Sequence, residues 1–148
     1  KLMSSGIETK VFYSSLGGFD THAGQLHSQE RLLKVYAEGI EAFVNDLRQQ
    51  GTFNDTLIVT FSEFGRRVKQ NAANGTDHGA ASNLFIIGNQ LKTPGFYNDL
   101  ASLSDLDDNG DLRYTVDFRS IYATILDKWL AVEDQTILNA SFPKLQLL

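Results

Sequence analysis

Two of the three histidines in this sequence stand in glycine-flanked segments, each with a carboxylate beside it: Gly17-Gly18-Phe19-Asp20-Thr21-His22 and Gly75-Thr76-Asp77-His78-Gly79. Asp20 and His22 are two residues apart, so in an extended segment their side chains project to the same side and could grip one ion. Asp77 and His78 are adjacent and diverge, which lets one ligate while the other supports it or serves a second ion. Imidazole and carboxylate without thiolate suit zinc, manganese or another borderline divalent ion. Glu63 and Arg66 follow the apolar run Leu57 to Phe61, and Arg66 could hold an oxyanion bidentately. Each of these groups also has a plainer reading. Asp20 could bond a backbone amide in a loop turn, Glu63 could be a helix-entry charge, and Arg66 with Arg67 could form a surface ion pair. His27 reads as a helix-start residue.

The elements that would position these groups follow from periodicity. Lys10 to Ser14 is a short β-branched and aromatic run, predicted as a strand ending near Gly17-Gly18. From about Ser28 to Gln50, Leu32, Leu33, Tyr36, Ile40, Phe43, Val44 and Leu47 recur at helical spacing, and Gly51 is placed to end that helix. Leu57 to Phe61 and Asn83 to Gly88 read as two further strands. A helix between two strands implies a right-handed crossover and a parallel pair, so the expected class is α/β with a mainly parallel sheet flanked by helices. Ligands in such sheets bind outside the carboxyl ends of the strands, where Glu63 and Arg66 would lie. Residues 64–79 are polar and read as a long loop.

Further on, Asp105, Asp107, Asn109 and Gly110 open like a calcium loop, but Val116 stands where a bidentate Glu is required. A hairpin turn on Asn109-Gly110 is the better reading. Asp117 is placed as N-cap of a last helix running to about Leu130, and the tail after Ala131 is expected to pack on the body.

Length and composition narrow the classes. The 148 residues fit one domain with its own core; 42% are hydrophobic and 21% charged, the profile of a soluble globular protein. A net charge of -5 with no basic stripe argues against nucleic acid and against an anionic membrane surface. No apolar run approaches the roughly 20 residues of a membrane span. The absence of cysteine excludes disulfides and thiolate metal sites. The opening Lys1-Leu2-Met3-Ser4-Ser5 lacks the pattern of a signal peptide, which suits a mature or excised chain.

The two histidine motifs, together with Ser62-Glu63-Phe64-Gly65-Arg66-Arg67, resemble in order and spacing the recurring motifs of the bacterial family called domain of unknown function 1501. Thr115 to Tyr122, followed by Trp129-Leu130, is similar to the closing helix of that family. The resemblance covers nearly the whole chain. It implies membership of the alkaline phosphatase and sulfatase superfamily, whose members hydrolyse or transfer phosphate and sulfate esters on a metal-bearing three-layer α/β sandwich. It also implies a periplasmic or secreted setting, because family members typically carry a twin-arginine export signal. Asp20 and His22 resemble the first Asp and His ligands of the superfamily, although there the two are usually further apart. His78 resembles the late histidine of the first metal site, with Asp77 beside it. Glu63 sits where the superfamily places the Asp of an Asp-His pair, and Phe64 replaces the His, which weighs against a second ion. The superfamily nucleophile and its Asp lie upstream of everything here, so the chain is expected to be the carboxyl-terminal part of a longer protein and inactive alone. The implied function is that of a metal-dependent hydrolase acting on an anionic ester, with Arg66 steadying the anion; the alternative is a non-catalytic exported binding module.

Overall fold

The apolar stripe of the long helix dictates which of its faces is covered. In α1 (Gln25–Gln49), Leu32 and Leu47 are buried and Tyr36, Ile40 and Val44 half-buried, but Leu33 and Phe43, expected on the same stripe, are exposed because they lie at its flanks. This computed structural model describes residue 3 and residues 5–148. The sequence reading of the amino terminus falls largely on Lys1, Leu2 and Ser4, which lie outside them. α1 starts three residues earlier than its periodicity predicts. Gly24 precedes it at φ +52°, and the amides of Gly24 and Gln25 donate to the carbonyls of Ala73 and Asn74. Backbone from a distant turn therefore caps the helix, where a side chain would ordinarily do so. At the other end Gly51 adopts φ +72°, its amide donates to the Arg48 carbonyl and the Thr52 amide to that of Leu47, the paired bonds of a Schellman stop.

The expected parallel sheet of an alkaline-phosphatase-like three-layer sandwich is not what this chain forms. Two short antiparallel pairs replace it. β1 (Ile58–Thr60) pairs with the last strand, β4 (Phe85–Ile87), in the register Ile58↔Ile87 and Thr60↔Phe85. β2 (Gly65–Gln70) pairs with β3 (Thr76–Gly79), with Arg66 opposite His78. Among the described residues Lys10 to Ser14 forms no strand, and Val11 and Tyr13 stand 66% and 81% exposed. The parallel partner expected for β1, Lys10 to Ser14, forms no strand, and the neighbour that β1 does take, β4, follows the β2–β3 hairpin with no crossover helix between them. The long loop expected over 64–79 is that hairpin, turning through Asn74 at φ +57° and Gly75. α1 crosses the β1–β4 pair, with Tyr36 Oη 3.0 Å from Thr60 Oγ1 and its ring 6.3 Å from that of Phe85.

The carboxyl-terminal third is held by turns and caps. Gly110, at φ +78°, donates its amide to the Asp107 carbonyl, and Leu106 bridges Leu112 antiparallel, so Asn109-Gly110 does form a hairpin turn. Asp105, Asp107 and Asp111 are all engaged by neighbouring groups. Arg67 Nε donates to Asp111 at 3.1 Å, Arg113 reaches Asp105, and Asp107 Oδ1 accepts the amides of Asn109 and Asp111. α2 (Phe118–Lys128) has Asp117 as its N-cap, accepting the Arg119 amide. The tail adds α3 (Asp134–Leu138), capped by Glu133. Thr124 Oγ1, fully buried, donates to the Ser120 carbonyl and accepts the Leu145 amide, pinning the tail to α2. Among the described residues, no helix is long and apolar enough to cross a membrane.

Candidate metal centre

The segment before α1 delivers its two candidate ligands by simple alternation. Thr21 is 7% exposed and turned inward, where its Oγ1 accepts from Gln29 Nε2 at 2.9 Å, so Asp20 and His22 on either side of it point outward together. The hairpin supplies the third group. In its pleat Arg66 and His78 are direct cross-strand neighbours and Phe64 lies two residues before Arg66, which places all three side chains on one face. The hairpin is seated by glycine. A Cβ at Gly75 would lie 2.2 Å from both the carbonyl carbon and oxygen of His22, and one at Gly65 would lie 1.6 Å from the Ala81 oxygen. Only a residue without a side chain lets the turn rest against the backbone of residues 22 and 23.

The result is a triangle of three donor atoms. Asp20 Oδ1 is 2.9 Å from His22 Nε2 and 2.9 Å from His78 Nε2, and the two nitrogens are 3.3 Å apart. Donors bound to one zinc at about 2.0 to 2.2 Å are expected roughly 3 to 3.5 Å from each other. The spacing therefore fits a divalent ion, and the donor set of two imidazoles and a carboxylate suits zinc or manganese. All three residues are exposed, so an ion held there would keep open coordination positions.

Charge and hydrogen bonding organise the surroundings. Both ring nitrogens of His22 face carboxylates, Nδ1 at 3.3 Å from Asp77 Oδ1 and Nε2 at 2.9 Å from Asp20 Oδ1; with an ion on Nε2, Asp77 would accept the proton that Nδ1 then carries. Bonding to His78, with the nearby His22 and Arg66 in support, holds the Asp20 carboxyl below its ordinary range. Asp77 is lowered too, first by the Asn71 amide and then by His22. Phe64 stacks on His78 with ring centroids 3.8 Å apart and planes at 9°, and the Arg66 guanidinium lies 4.9 Å from the other partner of that stack, the Phe64 ring.

Of the residues singled out in the sequence, the fold brings Asp20, His22 and His78 to one point, with Asp77 behind His22. Glu63 is exposed and outside the triangle. Arg66 is adjacent, but its terminal nitrogens are engaged: Nη1 donates to the Thr76 carbonyl at 2.6 Å, and Nη2 to the Phe19 carbonyl at 2.6 Å and Asp20 Oδ1 at 3.3 Å. It ties the two segments together and counterbalances Asp20. Sequence reasoning missed Asn71, whose Oδ1 accepts the Ala73 and Gly75 amides and whose Nδ2 donates to the His22 carbonyl and to Asp77 Oδ1, and the seating role of Gly75. The Asn74-Gly75 dipeptide, a strong hairpin signal, could have revealed both.

Comparison with known proteins finds one family match: the family described as "Protein of unknown function (DUF1501)" matches residues 4–140. No curated protein and no solved structure matches the chain.

Proposed function

The chain belongs to the protein family of unknown function DUF1501, and from that premise we propose that it supplies the ion-holding part of a metal-dependent hydrolase acting on phosphate or sulfate esters. The observation that carries this reading is the triangle of Asp20, His22 and His78, with donor atoms 2.9 to 3.3 Å apart. Asp20, His22 and His78 would hold the ion. Asp77 orients His22, Phe64 orients His78, and Arg66 holds Asp20 in place. When bound, a divalent ion there supplies Lewis-acid polarisation of an ester oxygen and a nucleophilic water at neutral pH. The resemblance to alkaline phosphatases and sulfatases supports the substrate class and, through the typical export signal, a periplasmic or secreted setting.

In this reading the chain works as the carboxyl-terminal part of a larger body that brings the nucleophile. Its described accessible surface is 10685 Å², against roughly 7500 Å² for a compact monomer of this mass. Large apolar side chains such as Tyr13, Phe96 and Leu100 stand 77% to 87% exposed. A second reading, a binding module without turnover, draws on Phe64: an apolar ring packs against His78 at the position where a second ion would need an imidazole.

Calorimetric titration of the chelator-treated chain with zinc and with manganese tests the centre. One ion per chain is expected, with binding lost in Asp20→Ala, His22→Ala and His78→Ala and kept in Glu63→Ala. No binding of either ion, or binding indifferent to all three substitutions, would remove the proposal. Chelator-sensitive hydrolysis of 4-nitrophenyl phosphate or sulfate by the longer protein separates the hydrolase from the binding module.

A further inference from the structure

The chain holds two Asn-Gly pairs, Asn74-Gly75 and Asn109-Gly110, each at a hairpin turn. Such pairs are especially prone to spontaneous loss of the side-chain ammonia, because glycine puts no Cβ in the way when its amide nitrogen attacks the preceding Asn side chain. The two turns present that chemistry differently. At Asn74 the groups that the reaction must move are engaged. Its Oδ1 accepts from Gln70 Nε2 at 3.2 Å, and its carbonyl accepts the Gln25 amide at 2.9 Å. The attacking nitrogen, that of Gly75, donates to Asn71 Oδ1 at 3.0 Å, and Gly75 itself is buried against the His22 backbone. Asn109 is exposed, and among the described residues its side chain has no hydrogen-bond partner. The Gly110 amide makes one bond, to the Asp107 carbonyl at 2.9 Å.

We propose that Asn109 is a site of spontaneous deamidation and isoaspartate formation, and that the fold shields Asn74 from the same reaction. The Gly110 nitrogen attacks Cγ of Asn109 and a new C–N bond forms. The bond from Cγ to the side-chain nitrogen breaks, and that nitrogen leaves as ammonia, carrying the proton given up by the Gly110 amide. Water then opens the cyclic imide. Attack at the former side-chain carbonyl gives aspartate; attack at the former main-chain carbonyl gives isoaspartate, in which the main chain runs through Cβ and Cγ. Arg67 bears on that choice. Its Nη2 donates to the Asn109 carbonyl while its Nε is held by Asp111 at 3.1 Å, so the guanidinium stands where it stabilises the oxyanion of the isoaspartate route. The α-carboxylate that results replaces a neutral acceptor of Arg67 with a charged one. The modification adds one negative charge to the turn that docks on β2 and leaves the turn against His22 intact. Nothing in it depends on the metal reading above.

Incubation of the chain in mildly alkaline buffer, followed by tryptic peptide mapping, tests this, since cleavage after Lys69, Lys92 and Arg113 puts the two pairs on separate peptides. Conversion at Asn109 is expected to run roughly 10-fold or more faster than at Asn74, which must give up two further hydrogen bonds before its imide can close. In denaturant the two rates should converge, because both sites are then Asn-Gly in open chain. That comparison uses the wild type alone and so does not depend on any variant folding. Asn71→Ala, which frees the Gly75 nitrogen, should raise the Asn74 rate towards that of Asn109. Electron-transfer fragmentation separates isoaspartate from aspartate, and Arg67→Gln should lower the isoaspartate share at Asn109. Equal conversion at the two sites in the folded chain, or faster conversion at Asn74, would overturn the proposal. An isoaspartate share indifferent to Arg67→Gln would overturn the part given to Arg67.

Discussion

The Nε2 atoms of His22 and His78 face each other at 3.3 Å although 56 residues separate them, and Asp20 Oδ1 lies 2.9 Å from both. Three electron-rich atoms pointing at one place repel unless a proton or a cation lies between them. An ion that binds only this arrangement must stabilise the folded chain by mass action. We expect zinc at 100 times its dissociation constant to add about 2.7 kcal/mol to the unfolding free energy, read as a rise in thermal midpoint. Asp20→Asn, which removes the charge and keeps the shape, should abolish most of that rise; an undiminished rise would place the ion elsewhere.

Gly75 carries a second expectation. A methyl group there meets the His22 carbonyl at 2.2 Å, and backbone cannot rotate out of the way. Gly75→Ala should therefore cost about 1 to 3 kcal/mol, the range for forcing atoms into a filled site, and should also weaken zinc binding by displacing His22. Gly39→Ala, at a helical glycine whose added Cβ meets nothing within 4 Å, is the control and should not destabilise. Equal denaturation midpoints for the two variants would contradict the seating role.

Phe64 acts on His78 through ring overlap alone. Phe64→Leu keeps apolar volume but removes the stacked face 3.8 Å from the imidazole, so His78 gains freedom to turn away from Asp20. Weaker zinc binding with a nearly unchanged thermal midpoint is expected, and Phe64→Tyr should behave as the wild type. Were Phe64→Leu to lose stability and keep affinity, the ring would be packing and no more.

Acid should loosen the carboxyl-terminal helices through their caps. Asp117 is held below its ordinary value of 3.8, chiefly by the Arg119 side chain, and Glu133 below its ordinary value of 4.5, chiefly by the Thr136 hydroxyl. Because the folded values are the lower ones, both contributions are complete above the ordinary values and disappear as the pH falls through the folded values. Chemical denaturation between pH 6 and 2.5 should thus show a loss of stability that begins below about pH 4.5 and is shallower in Asp117→Asn and Glu133→Gln. Parallel curves for wild type and variants would show that the caps do not titrate with folding.

What the sequence determined by itself was local. The stripe of Leu32, Leu33, Tyr36, Ile40, Phe43, Val44 and Leu47 marked the covered face of α1, although Leu33 and Phe43 at its flanks stay exposed; Gly51 marked its end, Asp117 the start of α2, and Asn109-Gly110 a turn. Strand alternation alone put Asp20 and His22 on one side. These features depend on backbone sterics and hydrogen bonds within a few residues, so composition and spacing specify them. Strand partnership does not. Ile58 to Thr60 is compatible with a neighbour in either direction, and the tertiary structure chose Phe85 to Ile87, antiparallel, while Lys10 to Ser14, expected as its parallel partner, forms no strand. The expected parallel sheet failed on that choice. The triangle, too, depends on long-range closure: the turn at Gly75 settles against His22, Asn71 bonds across 49 residues to the His22 carbonyl, and Phe64 covers His78. Residue types could nominate the ligands, but only packing between distant segments, where one absent Cβ permits contact, decides that they meet.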